Sequence, residues 1–202
     1  MPILEKAWNH NTYYHRTLLR RVPDRCDRAL DVGCGDGAFA RCLASKSSAV
    51  VAVDIDAQQV QTARRACADL GSVSVLHDDF LTADLGYETF DVVTALASLH
   101  HLPVETAIEK MRRLLRPGGR LIVLGLWSDN RTVPDHVLNT AAGVTNKIYK
   151  CLWGPDLMTA STSTPEATLT DVRRLADSQS PHATVRRCLL WRYVLVWQKP
   201  VG

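Results

Sequence analysis

The sequence predicts an α/β fold, a doubly wound, mostly parallel sheet of seven strands that closes on a C-terminal antiparallel strand, with helices on both faces. Three observations carry that expectation. Residues 29–37, Ala-Leu-Asp-Val-Gly-Cys-Gly-Asp-Gly, lead an apolar strand into a helix start through glycines at alternate positions. From there to residue 126, short apolar runs alternate with stripes of helical spacing, which demands parallel strands joined by right-handed crossovers. Residues 185–190 and 193–197 then form two strand-like runs joined only through Trp191-Arg192, a link so short that the pair must be antiparallel.

With 202 residues, 46% hydrophobic and 22% charged, the chain suits one globular domain that buries its own core. Neither a basic start followed by an apolar run nor a stretch of about 18 apolar residues is present, so no signal peptide, no membrane partner and a cytoplasmic location are expected. Six cysteines lie far apart, without a Cys-x-x-Cys pair or a histidine at ligand spacing. They read as reduced and packed, and no metal site is expected. The net charge of +3 is uneven, with Arg186, Arg187, Arg192 and Lys199 unopposed near the end. Solvated faces of an edge strand and an end helix account for it more simply than nucleic-acid binding does.

Residues 3–20 suit a helix that stops before Pro23, and crowd Trp8, Asn9, His10, Asn11, Tyr13, Tyr14 and His15 onto one short element. The glycine turn follows. Glycine tolerates positive φ and lets a ligand lie on the backbone, while the helix start behind it offers unpaired amides. After a short helix marked by Phe39, Cys42 and Leu43, residues 49–53 form an apolar run ended by Asp54, as in a strand buried on both faces. Asp56 suits the cap of the next helix, whose stripe of Val60, Ala63, Cys67 and Leu70 stops at Gly71. A third strand from Val73 ends in Asp78, Asp79 and Phe80; a fourth, from Phe90 to Ala95, runs directly into Leu99-His100-His101-Leu102-Pro103. Val104, Ile108, Met111 and Leu115 mark a helix ended by Arg116-Pro117-Gly118-Gly119, and Leu121 to Leu126 is a fifth strand. Residues 127–163 break the rhythm with an irregular helix after Pro134; Thr164 and Pro165 open the last helix.

Two ligands fit the turn on spacing. Gly33, Gly35 and Ala38, with Asp54 about 20 residues on, satisfy the loose dinucleotide pattern. Asp31 separates the possibilities, because a carboxylate aimed at the loop suits a cationic ligand and repels a pyrophosphate. Leu30-Asp31-Val32-Gly33-Cys34-Gly35-Asp36-Gly37 resembles the first motif of class I S-adenosylmethionine-dependent methyltransferases; Leu99 to Pro103 is similar to a stretch of its small-molecule branch, and Leu114 to Gly119 to a run frequent in the family that any helix-turn-strand could also use.

The resemblance implies S-adenosylmethionine as cofactor and S-adenosylhomocysteine as product. It implies Asp31 near the methionine amine, Gly33, Cys34, Gly35 and Gly37 along the methionine and ribose, and Asp54 with Ile55 at the ribose. Asp79 with Phe80 would meet the adenine, with Asp78 as the alternative acid; Ala95 would line the site, and Tyr14 would belong to a lid. The chain is expected to divide into an N-terminal helix or lid (1–28), a cofactor core (29–126), a substrate-side segment (127–163) and a last helix with hairpin (164–202); the resemblance covers 29–126 and the topology of the hairpin and says little about 1–28 or 127–163. His100 and His101 stand as candidate bases because imidazole titrates near neutrality, with a backbone-bonded helix start as the alternative. His10, Trp127 and Tyr149 are candidate substrate contacts. Neither a Pro-Pro-Tyr/Phe run after the fourth strand nor a Pro-Cys pair is present, which points to a small-molecule substrate and away from nucleic acid. An RNA methyltransferase, an NAD(P)-dependent oxidoreductase and a non-catalytic cofactor-binding module remain the competing functions.

Overall fold

The computed structural model describes residues 12–126, 169–180, 182–189 and 191–201. Seven strands, β1 (Cys26–Val32), β2 (Ser47–Asp54), β3 (Val73–His77), β4 (Phe90–Leu96), β5 (Leu115–Leu126), β6 (Thr184–Cys188) and β7 (Arg192–Gln198), form one sheet in the order β3-β2-β1-β4-β5-β7-β6. Strands β1 to β5 are parallel, and β7 lies antiparallel between β5 and β6. The sequence of the hairpin explains that order. Arg192 to Leu195 are all buried, which needs neighbours on both sides, whereas Thr184 to Cys188 keep partly exposed side chains that suit an edge.

Helices α1 (Thr12–Leu19), α2 (Ala38–Ala44), α3 (Ala57–Ala66), α4 (Val104–Leu114) and α5 (Leu169–Gln179) cover the sheet, and a 3-10 turn at Leu99–His101 follows β4. Side chains alternate along a strand, so each central strand feeds two cores. Leu30, Val32, Val93, Ala95, Leu121 and Val123 pack with Ile108 and Met111 of α4 and Val172 and Ala176 of α5. On the other face Ala29, Val92, Ile122 and Leu124 pack with Leu18 of α1, Phe39 and Leu43 of α2 and Val60 and Ala63 of α3. Each large side chain so buried contributes about 1.5–3 kcal/mol, so β1 and β4 are the rigid centre from which the glycine turn departs.

Three boundaries differ from the sequence expectation. Helix α3 stops at Ala66, short of Gly71, because Cys67 leaves helical geometry (φ −101°, ψ 6°) and Leu70 N–H closes a turn onto Cys67 O at 2.9 Å. Strand β5 starts at Leu115, absorbing the Arg-Pro-Gly-Gly stretch expected as a turn. Gly118 N–H donates to Lys199 O and Lys199 N–H to Gly119 O, drawing that stretch into the ladder beside β7, while the pairing with β4 shifts register between Phe90 and Val92. The hairpin strands run 184–188 and 192–198 where 185–190 and 193–197 are expected; Trp191, with a left-handed φ of 55°, precedes the start of β7 at Arg192. The expected first turns of the N-terminal helix, the helix after Pro134 and the Thr164-Pro165 cap lie outside the described residues.

Candidate functional site

The glycine turn lies at the carboxyl edge of β1, with β2 and β4 on either side. Gly33 has φ 67° and Gly35 φ 53°, a region that L side chains seldom occupy. The two glycines differ in surroundings. A Cβ on Gly33 would sit 2.3 Å from Ser98 Cβ, whereas on Gly35 it would meet nothing nearer than Gln59 Oε1 at 3.9 Å. Gly33 is therefore required by packing against the β4 exit, and Gly35 by conformation on an open face.

The amides of this turn are mostly spent inside the protein. Gly33 N–H and Cys34 N–H both donate to Val53 O, Gly35 N–H to Asp54 Oδ2 at 2.8 Å, Gly37 N–H to Cys34 O and Ala38 N–H to Asp36 Oδ1. The turn thus presents a bare, tightly held backbone, and the unpaired amides expected at the helix start behind it fall on Phe39 and Ala40 of α2, ahead of the bond from Arg41 N–H to Gly37 O. Such a surface admits a flat, close ligand laid along the backbone.

Asp31 lies under the turn, on the face of β1 shared with α1 and α2, and is only 1% exposed. Thr94 of β4, directly opposite in register, donates its hydroxyl to Asp31 Oδ1 at 2.8 Å. No cation among the described residues is paired with it. Burial therefore pushes the carboxyl up to about 7, against the Thr94 hydrogen bond, with Asp54 and Asp36 adding repulsion. Half-neutral at physiological pH, it would ionise fully beside an incoming cation. Sequence reasoning missed Thr94, although a lone hydroxyl in the run Val-Val-Thr-Ala-Leu was a signal that something polar lies across the strand.

Asp54 ends β2 as expected, and Asp56 caps α3 by accepting from Gln58 N–H (2.8 Å) and Gln59 N–H (3.2 Å). The Asp54 carboxylate also shapes the loop, because Oδ2 holds Gly35 and Oδ1 accepts from Asp56 N–H at 2.9 Å. Ile55 beside it is 67% exposed, large for an isoleucine with nothing to cover it. Below β3, Asp78 is exposed and accepts from Asp79 N–H; Asp79 is half-buried and accepts from Leu81 N–H through Oδ1. Phe80 is buried, and its ring faces the Lys110 ammonium at 5.3 Å.

Chain exit from β4 is strained. Ala97 has φ 53°, a cost of about 1–2 kcal/mol for a residue with a Cβ, held by its N–H bond to Leu124 O at 2.7 Å. Ser98 donates Oγ–H to Val32 O at 2.6 Å, fastening the β4 exit to the glycine turn. The next turn presents His100 and His101 with ring centroids 3.9 Å apart. His100 Nδ1 is buried and has no hydrogen-bond partner among the described residues. Burial, with His101 and Arg192 adding repulsion, lowers His100 to about 4 and leaves it neutral at pH 7. His101 is exposed.

Tyr14, expected in a lid, is buried on α1 and donates its hydroxyl to Leu189 O at 2.7 Å, clasping α1 to the β6–β7 turn. Cys34 is buried in the turn, and burial raises its thiol well above the usual range. Ala95 lies in the core at the carboxyl end of β4. His10, Trp127 and Tyr149 are outside the described residues, as is the whole of the expected substrate-side segment. No helix among the described residues is long and apolar enough to cross a membrane.

Comparison with known proteins agrees with this architecture. A family model described as a methyltransferase domain matches residues 30–123. An uncharacterized methyltransferase of Mycobacterium tuberculosis (strain H37Rv) is 33% identical over 208 aligned residues, covering 98% of this chain and 100% of that one. A ubiquinone biosynthesis O-methyltransferase of Xanthomonas oryzae pv. oryzae is 38% identical over 109 residues, 52% of this chain and 44% of its own length. Among solved structures, a SAM-dependent methyltransferase from Aquifex aeolicus superimposes with a TM-score of 0.63 at 17% identity, covering 91% of this chain and 88% of that one. The N-methyltransferase NodS from Bradyrhizobium japonicum, in complex with S-adenosylhomocysteine, gives 0.62 at 19% identity over 93% and 86%. At such identities the structural likeness speaks to fold.

Proposed function

This chain belongs to the methyltransferase family, and from that premise we propose that it is a class I S-adenosylmethionine-dependent enzyme that methylates an oxygen, nitrogen or carbon nucleophile of a small molecule. The observation that carries the site assignment is the buried Asp31 carboxyl beneath a glycine turn most of whose own amides are bonded within the protein. An acid so placed, with a hydroxyl but no cation among the described residues, is complementary to an ammonium group; a nicotinamide dinucleotide offers none to it, and its pyrophosphate would be repelled. The Gly35 face, open where a Cβ would project, fits a ligand laid along the backbone.

S-adenosylmethionine, when bound, supplies a sulfonium methyl for direct displacement. Asp31 would hold the methionine ammonium, and the turn at Gly33, Cys34, Gly35 and Gly37 would set the ligand's height above β1. Asp54 has a second lone pair on each oxygen for ribose hydroxyls while its first pairs hold Gly35 and Asp56, so ribose recognition and loop shape share one side chain. Ile55 would cover the adenosine, and Asp79 would accept from the exocyclic amine with Phe80 beside the base. Asp79, half-buried on the turn, suits that position better than the exposed Asp78.

His100 is the group assigned to take the nucleophile's proton, because its Nδ1 is buried and unpartnered among the described residues. A base lowered to about 4 is weak, which suits an oxygen nucleophile whose proton becomes strongly acidic as the new bond forms. Alignment in a site closed to water would supply much of the remaining acceleration. Residues 127–163 and the first helix, with His10, Trp127 and Tyr149, are assigned to substrate selection. The cysteines, reduced in this reading, accord with action in the cytoplasm.

Calorimetry of the purified protein with S-adenosylhomocysteine, S-adenosylmethionine and NAD tests the cofactor assignment. Micromolar binding of the first two, weakened at least tenfold by Asp54→Ala, is expected. Equal or tighter binding of NAD would overturn the site.

A further inference from the structure

Lys110 lies on α4 and has no part in the cofactor contacts assigned to Asp31, Gly35, Asp54 and Asp79, yet its ammonium reaches across to the far side of the β3–β4 connection. Nζ donates to Leu81 O at 3.1 Å and to Ala83 O at 2.6 Å, and lies 5.3 Å from the centre of the Phe80 ring. Three features of one turn are thus held by a single cation. The same turn is closed from within by Asp79, whose backbone oxygen accepts from Thr82 N–H (3.1 Å) and Ala83 N–H (2.8 Å) and whose Oδ1 accepts from Leu81 N–H (2.8 Å). Asp79, Asp78 and Asp84 all attract the ammonium, opposing the cost of its partial burial.

We propose that Lys110 is a positioning residue for the adenine end of the cofactor site: it fixes the Phe80 ring and the carbonyls of Leu81 and Ala83, and through that turn sets where the Asp79 carboxylate and Phe80 amide face the base. The inference rests on the assignment of Asp79 and Phe80 to adenine. Its physical content is preorganisation. Phe80, Leu81 and Ala83 anchor the turn to the core by their side chains, but the Leu81 and Ala83 carbonyls take their charged donor from Lys110 alone among the described bonds, so without the ammonium their orientation must be fixed at the expense of binding. A fixed cation on a rigid helix removes that cost before the ligand arrives.

The test compares Lys110→Met, which keeps the stem and removes the donor, with Lys110→Arg, which keeps charge and donors. Calorimetry would measure S-adenosylhomocysteine and 5′-methylthioadenosine, a fragment that keeps the adenosine but lacks the amino-acid end. Lys110→Met is expected to weaken both by about tenfold, and Lys110→Arg to stay within about threefold of wild type. Asp31→Asn, by contrast, should weaken S-adenosylhomocysteine alone. A merely structural lysine would lower the melting temperature without this fragment pattern. Lys110→Gln, which retains one donor, serves if the Met variant does not fold, with a smaller loss of both ligands expected. Unchanged affinity of the Lys110 variants while Asp79→Ala weakens both ligands would overturn the role of Lys110. Unchanged affinity in Asp79→Ala would overturn the adenine assignment beneath it, and the proposal with it.

Discussion

Asp31 is a buried acid whose effect on stability has a sign that can be worked out. Its folded pKa of about 7 lies above the ordinary carboxylate value of 3.8, so the unliganded fold is favoured fully below pH 4 and loses that contribution as pH rises through 7. Replacing it by Asn removes the loss while keeping an acceptor for Thr94. Thermal denaturation of unliganded protein at pH 8 should show Asp31→Asn about 5 °C more stable than wild type, the difference vanishing near pH 4. His15, buried on α1 and lowered to about 4, acts in the opposite sense. Its contribution is present above pH 6.5 and lost as pH falls toward 4, so the comparison must be made between variants and not along one curve. His100 is read directly by proton NMR of its ring, assigned with His100→Gln. A midpoint near 4 is expected; one near 6.5 would remove the burial on which its assignment as base depends.

At the scale of elements, the glycine turn separates folding from binding. Gly33→Ala combines a left-handed φ with a Cβ driven into Ser98, and should cost at least about 2 kcal/mol of stability. Gly35→Ala meets only the conformational cost, about 1 kcal/mol, but projects its methyl into the open face; ligand affinity should fall tenfold or more. Denaturant titration beside calorimetry checks both, and the reverse ranking would show that the ligand does not lie along Gly35. The turn itself was legible in the sequence because it is local: glycine spacing, an apolar strand before it and a helical stripe after it. Its hydrogen bonding was not. Whether its amides face a ligand or Val53 and Asp54 depends on the register of β2 against β1, which no local pattern encodes. The same holds for α3, where apolar spacing ran on to Leu70 but the need to turn back toward β3 ended the helix at Ala66.

For the whole molecule, strand and helix periodicity and the short C-terminal link led to the parallel sheet and its antiparallel pair, since each follows from chain geometry alone. What escaped was the set of hydrogen bonds between distant parts of the chain that shape the candidate site: Thr94 on Asp31, Asp54 on Gly35, Ser98 on Val32, and Lys110 on the β3–β4 turn. Each joins residues between 19 and 66 positions apart. The sheet brings them together at the carboxyl edges of β1, β2 and β4, where an open α/β sheet binds its ligands. All of them converge on one claim, that a buried acid beneath a spent backbone turn receives the ammonium of S-adenosylmethionine.

Proton-linked calorimetry tests that claim most directly. Binding of S-adenosylhomocysteine at pH 7, measured in buffers of different ionisation enthalpy, should release a fraction of a proton as Asp31 ionises beside the ammonium. The release should shrink by pH 9 and vanish in Asp31→Asn, whose affinity drops at least tenfold. A binding enthalpy independent of buffer, with affinity unchanged in that variant, would contradict the account.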